Sequence, residues 1–471
     1  MSAGELAGLG LAEAAALVRE RKVSPVELVD AALAQADRWE PHIRSLIHRM
    51  DDEARARARE AEQEIARGGA RGPLHGIPVT VKDMMDVAGA PTTVASPILR
   101  DNIPAAHCAA VQRVVGAGAI VAGKANTHQW TWGGDTPPTR NPWDTARIPG
   151  GSSGGSGASL AAGIGYGSLG SDTAASIRSP AAYNGVVGIK TTYGRIPKSG
   201  SYMLAWSMDS LGPFGRRVED VAILLDAMSG WDAADPAALR QPLAPALPTL
   251  HDGVKGLRIG VPEEWFWHPH QAEVREQQLR GLEALRAAGA ELRPLPIPRT
   301  DILKLSVPVS FVHCIVESAS WHRSWLTERA DGYAPDVAEY ISWAERIPAT
   351  DYVDSQRIRR MISDVVDACF AEVDLLAVPS QNQVAARVDT PMVTFSDGTQ
   401  EHRDSAGIRT LAIFNLTGHP GVSVPVGRGR DTGMPVGLQL VGRRGDDATT
   451  LRAAQAVEDA LGTLGLPPLP A

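Results

Sequence analysis

The residues of this sequence with the greatest chemical potential lie in two short segments. Gly150-Gly151-Ser152-Ser153-Gly154-Gly155-Ser156 joins hydroxyls to glycines, and Asp172-Thr173-Ala174-Ala175-Ser176-Ile177-Arg178 brings another serine 24 residues beyond Ser152. Flexible linkers have a similar composition, but they do not lie between apolar strands with an Ala-rich helix inside them. The pattern reads instead as a tight backbone turn that presents hydroxyls and bare amides to a substrate. Nine of the 47 glycines fall between Gly150 and Gly170, so the unusual backbone is local.

Other patterns in the chain imitate known motifs and fail on context. Gly118-Ala-Ile-Val-Ala-Gly123-Lys124 resembles a phosphate-binding loop, but Ala125 stands where a magnesium-holding hydroxyl is needed. Gly165-Tyr-Gly167-Ser-Leu-Gly170 fits a dinucleotide fingerprint, yet no long helix follows it. Gly151-Ser-Ser153-Gly-Gly155 would make Ser153 a nucleophile of the elbow type, but Asn141 to Pro149 is a poor strand to precede it. None of the 12 histidines has metal-ligand spacing, and Cys108, Cys314 and Cys369 are too scattered for a zinc site or a disulfide framework. Cys314 has apolar neighbours, which disfavours a thiolate nucleophile.

Positioning such a turn requires strands and helices around it. Ser24-Pro25-Val26-Glu27 is a capping box that starts a helix running to about Trp39, and Asp51 to Arg67 reads as a second, solvated helix. From Leu74 the pattern changes to short apolar strands. Ile77, Val79 and Val81 alternate with Pro78, Thr80 and Lys82, which sets Lys82 on the face opposite the aliphatic one. A helix is expected over Ala110–Gly116 and another over Gly157–Ala162, with strands at Ala119–Ala122 and Gly185–Lys190. Lys255 to Pro298 reads as one strand-helix-strand unit. Further strands are expected at Asp374–Val378, Val422–Val426 and Val436–Val441. Strands alternating with helices predict an α/β fold with a mixed central sheet covered by helices on both faces.

Composition narrows the function classes. The 471 residues carry 46 Lys+Arg against 54 Asp+Glu, a formal charge of −8, with no basic block, so phosphate-backbone binding is not expected. No basic leader precedes an apolar stretch, and no window of about 20 residues is both apolar and uncharged. With three unpaired cysteines, this reads as a cytoplasmic protein with neither nucleic-acid nor membrane partners.

Five segments together carry a family resemblance. LHGIPVTVKD (Leu74 to Asp83), GAIVAGKANTHQW (Gly118 to Trp130), NPWDTARIPGGSSGGS (Asn141 to Ser156), GSDTAASIRSPAAYNGVVGIKTTYGRIP (Gly170 to Pro197) and SMDSLGP (Ser207 to Pro213) resemble the amidase signature family in order. Phe414 to Gly427 and Met434 to Gly442 resemble that family's distal segments. The resemblance implies one large domain over 1–471. It comprises N-terminal helices (1–70), a signature core with the catalytic residues (74–215), a variable substrate-side region (298–400) and C-terminal core strands (410–445).

Carried over residue by residue, the resemblance implies a Ser-cisSer-Lys triad of Ser176 as nucleophile, Ser152 as bridging serine and Lys82 as base, with a cis Gly151–Ser152 bond. A serine needs a base to become nucleophilic, and lysine serves only when burial keeps it neutral. The implied reaction is hydrolysis of a carboxamide C–N bond through an acyl-enzyme, without metal or organic cofactor. The backbone amides of Thr173, Ala174, Ala175 and Ser176 would form the oxyanion hole. Many relatives have glycine at positions 174 and 175, so the alanines are a departure. Asp172 and Arg178 are read as pinning the loop. Thr131 matches an acyl-site position, and Trp130, Trp132 and Trp206, which precedes the SMDSLGP turn, are expected to shape a bulky apolar pocket closed by the 298–400 region. The partner is a small-molecule amide, with a homodimer left open. Alternatives are the glutaminase component of a tRNA-dependent amidotransferase, a urea, carbamate or ester hydrolase, and a non-catalytic binding homologue.

Overall fold

The structure is a computed structural model describing residues 1–469. Its first half contributes β1 (Leu46–Arg49), β2 (Pro78–Lys82), β3 (Ile120–Ala125), β4 (Gly167–Asp172), β5 (Val187–Lys190) and β6 (Ser210–Gly215). The second half adds β7 (Arg258–Val261), β8 (Glu291–Pro294), β9 (Leu375–Pro379), a small ribbon of β10 (Met392–Thr394) and β11 (Gln400–His402), β12 (Gly421–Arg428) and β13 (Pro435–Gly442). Apart from the ribbon, all of these join one 11-stranded sheet in the order β1-β3-β2-β4-β6-β5-β12-β13-β9-β7-β8. β2 runs parallel to β3 and β4, and β7 to β8 and β9, whereas the middle strands pair antiparallel. The Pro-rich run Gln241–Leu250 therefore joins two parts of one sheet rather than separating domains.

Helices flank the sheet, so the central strands are buried on both faces, every residue of β2 to β6 included. This burial matters most for Lys82. Alternation set it opposite Val79 and Val81, but that opposite face is also covered, by the helix Gly154–Ala161. Local signals placed the elements well. Ser24 Oγ accepts the Glu27 amide at 3.2 Å while Glu27 accepts the Ser24 amide at 2.8 Å, and the helix so capped runs Pro25–Ile43. The strand-helix-strand unit appears as β7, Ala272–Ala287 and β8.

Two central strands escape sequence patterning. β4 is Gly-Ser-Leu-Gly-Ser-Asp, and the Ser207–Pro213 segment expected to be a turn is half strand, since β6 begins at Ser210. Glycine and serine have low strand propensity, so tertiary pairing on both edges decides here. At Gly212 a Cβ would stand 2.2 Å from the Ile189 carbonyl oxygen, so the neighbouring backbone requires glycine.

The 298–400 region folds mainly as helices Ser306–Glu328, Pro335–Ser342 and Ala349–Cys369. Contrary to the hydropathy expectation, the stretch Thr300–Glu328 has the length and apolar composition to cross a membrane. It is a packed layer helix, with 56% of its most apolar window buried inside the protein. Near the C-terminus Leu469 docks on the cluster containing Trp39 and Ile43, while Pro470 and Ala471 of the final LGLPPLPA stretch lie outside the described residues.

Candidate active site

Lys82 is the last residue of β2, and β4 beside it ends at Asp172, so the loops leaving two parallel strands converge at one edge of the sheet. Lys82 Nζ donates to Ser152 Oγ at 2.7 Å and to Ser171 Oγ at 3.0 Å, and the side chain is fully buried. Burial lowers its pKa to about 7, against an opposing pull from the Asp209 and Asp172 carboxylates. The ammonium thus loses its usual advantage over the amine near neutral pH.

Ser152 sits in the glycine-rich loop ahead of the helix Gly154–Ala161, with the Gly151–Ser152 peptide bond cis. A Cβ at Gly151 would lie 2.2 Å from the Asp135 carbonyl oxygen, so only glycine lets these two backbones touch. Thr136 Oγ1 donates to the Gly150 carbonyl at 2.9 Å, and Ser153 Oγ to the Ser171 carbonyl at 3.0 Å, which ties the loop to both sides of the cleft.

The turn Thr173–Ile177 leads from β4 into the helix Arg178–Asn184. Its four amides at Thr173, Ala174, Ala175 and Ser176 find no acceptor among the described residues, and all four residues line the same cavity. Such unpaired donors can receive a developing oxyanion. Asp172 fixes the turn. Its carboxylate accepts the Ile177 amide at 3.1 Å, Arg178 Nε at 3.0 Å and Arg178 Nη2 at 2.9 Å, and Asn415 Nδ2 at 3.0 Å. Burial alone would raise this carboxyl, but the Arg178 charge and hydrogen bonds outweigh it and hold the group ionised. Arg178 in turn donates to the Leu411 carbonyl at 3.0 Å and Gln439 Oε1 at 2.8 Å, joining the turn to the C-terminal strands. On the other side Thr173 Oγ1 donates to the buried Asp209 carboxylate.

Ser176 is 7% exposed and lies on the cavity wall. Its hydroxyl makes no hydrogen bond among the described residues, so Lys82–Ser152 is the linked pair here. The cleft encloses about 780 Å³ between its walls and mouth. Thr131 and Trp132 line it; Thr131 adopts the left-handed φ of 61°, rare for a β-branched residue, and thereby joins the wall.

The tryptophan expectation needs correcting at two positions. Trp130 does not line the cavity. Its indole packs behind the wall, stacked on Trp325 at 5.1 Å and edge-on to His322 at 4.7 Å. Trp206 is 59% exposed and faces away, because its carbonyl is held inward by Tyr193 Oη at 2.8 Å and Lys198 Nζ at 3.0 Å. The side chains that do complete the wall include Phe311, Cys314 and Tyr340 from the 298–400 helices and Arg403 and Asp404 beyond them. The region was expected on this side, but its individual residues carry no local motif. Burial lifts the Cys314 thiol well above its usual range, consistent with an inert wall residue. No group of His, Cys, Asp and Glu suited to a metal ion occurs among the described residues.

Comparison with known proteins agrees with this geometry. The Amidase family model matches residues 27–451. An amidase of Pseudomonas putida is 38% identical over 459 residues, covering 97% of this chain and 96% of that protein. The glutaminase component of the glutamyl-tRNA(Gln) amidotransferase of Anaeromyxobacter sp. (strain K) is 36% identical, covering 99% of each chain. A solved structure from a vestigial protein complex related to the origins of an s-triazine catabolic enzyme superposes with a TM-score of 0.91 at 32% identity, over 97% of this chain and all of that one. The chain belongs to the Amidase family, the amidase signature hydrolases of carbon–nitrogen bonds.

Proposed function

We propose that the protein hydrolyses a linear carboxamide through an acyl-enzyme on Ser176. The observation that carries this reading is the 2.7 Å bond between a fully buried Lys82 and Ser152, with Ser176 opposite four unpaired amides. Neutral Lys82 takes the Ser152 proton while Ser152 takes that of Ser176, whose oxygen attacks the amide carbonyl. The Ser152–Ser176 hydrogen bond has to close for this step, as catalytic hydrogen bonds tighten when substrate binds. The carbonyl oxygen becomes an oxyanion held by the amides of Thr173 to Ser176. Collapse breaks the C–N bond, and the relay returns the proton to the leaving amine. Water then attacks the acyl-Ser176 ester, with the same relay removing its proton, to release the carboxylic acid.

A fluorophosphonate probe tests the nucleophile. Mass spectrometry is expected to find the adduct on Ser176, and Ser176→Ala to lose both adduct and turnover; normal turnover in that variant refutes the mechanism. A second reading, favoured by the full-length similarity to an amidotransferase component, is a glutaminase dependent on partner proteins. Glutaminase activity that appears only on adding such partners would select it.

A further inference from the structure

The cavity above the Ser176 turn has an uneven chemistry. One wall is aromatic: Trp132 and Tyr340 stack with ring centroids 5.1 Å apart and planes within 11°, and Phe311 lies 6.2 Å from Tyr340. All three line the cavity. Rings held this way offer flat apolar surface at little cost in side-chain entropy.

The polar groups in the same cavity are few and unequally satisfied. Trp132 is 4% exposed, and its indole N–H has no acceptor among the described residues. A buried donor without a partner costs about 1–3 kcal/mol, which a ligand acceptor relieves. Arg403 and Asp404 are the charged lining residues, but their charges are already engaged. Arg403 Nη1 donates to the carbonyls of Arg387 at 3.1 Å and Val388 at 3.2 Å, and Nη2 lies 3.5 Å from Asp135. Arg403 Nε lies 3.9 Å from the Asp404 carboxylate. A ligand carboxylate would compete with two aspartates for this arginine, whereas a neutral group displaces nothing.

We propose that the amide hydrolysed by this protein carries a flat, ring-containing apolar group bearing a neutral hydrogen-bond acceptor, seated against Trp132, Phe311 and Tyr340 with the acceptor on the Trp132 indole N–H. The inference rests on the amidase reading for its chemistry but concerns the cavity alone. It names the substrate class and sets it apart from a zwitterionic amino acid such as glutamine.

The test compares kcat/KM for acetamide, hexanamide, phenylacetamide, 4-methoxyphenylacetamide and L-glutamine. Phenylacetamide is expected to exceed acetamide by at least about 100-fold, in line with what several buried carbons contribute in an apolar pocket. Phe311→Ala and Tyr340→Ala are expected to shrink that ratio about tenfold or more, with the rate of Ser176 labelling by a small alkyl fluorophosphonate within threefold of the parent. Trp132→Phe keeps a ring and removes the donor, so it is expected to cancel the advantage of the methoxy compound and spare phenylacetamide. A ratio under threefold in the parent, or L-glutamine as the better substrate, overturns the inference. Calorimetric binding of phenylacetamide to Ser176→Ala reads the cavity without chemistry. Absence of Ser176 labelling refutes the amidase mechanism, whereas absence of aryl preference in that titration, against hexanamide, refutes the substrate class.

Discussion

Protonating Lys82 is the perturbation that probes this site most directly. Its pKa falls from 10.5 to about 7 because a fully buried ammonium loses hydration, with only partial recovery from Asp209 and Asp172. That displacement corresponds to about 5 kcal/mol of added preference for the amine. Since the amine is the active base, the rate must rise with pH. With a pKa of about 7, the neutral fraction is about one-eleventh at pH 6 and about ten-elevenths at pH 8. The expected profile of kcat/KM therefore rises about tenfold from pH 6 to 8 and flattens above. A lysine left at 10.5 would instead give a tenfold gain per pH unit to pH 10. The assay is initial-rate amide hydrolysis at constant ionic strength from pH 5.5 to 9.5, read by carboxylic acid release. Lys82→Ala is expected to lose about 10²–10⁴-fold and the inflection with it. A profile flat from pH 6 to 9, or still climbing at pH 9.5, refutes the neutral-lysine relay. So does an unmoved inflection in Lys82→Ala.

Two further substitutions test what holds the site in place. Asp172→Asn leaves Arg178 buried without its counter-charge, so it is expected to destabilise the fold by about 3–5 kcal/mol, measured by urea denaturation. It also removes a negative charge that supports protonated Lys82, so the inflection in the surviving activity should move to lower pH. Gly151→Ala forces a Cβ to within 2.2 Å of the Asp135 carbonyl oxygen, and neither backbone can yield cheaply. A loss of about 3 kcal/mol or more is expected in thermal unfolding, and an unchanged Tm would contradict the close approach.

Much of the architecture was legible in the chain because its signals are local. The capping box at Ser24, the β-branched alternation at Ile77–Val81 and the unit from Lys255 to Pro298 each depend on residues within one turn or strand of one another. β4 and β6 were not legible as strands. Their glycines and serines give no alternation, and pairing with neighbours far along the chain defines them. The aromatic wall was half legible: four aromatic or hydroxyl positions stood out, and two of them, Thr131 and Trp132, reach the cavity. Trp206 resembles them in composition, but hydrogen bonds to its carbonyl turn its ring outward.

By itself, the sequence determined which chemical groups are available and the short-range turns that carry them, because glycine spacing, capping and strand periodicity act over a few residues. It also determined the family, through the order of its signature segments. Only the tertiary structure decided that Lys82 is fully dehydrated, and that Tyr340, Phe311 and Arg403 meet a turn at Ser176 from which more than 130 residues separate them. Burial and electrostatic pairing are sums over everything packed around a group. No stretch of chain near Lys82 or Ser176 contains those terms, so they come into being only when the sheet and its helical cover close.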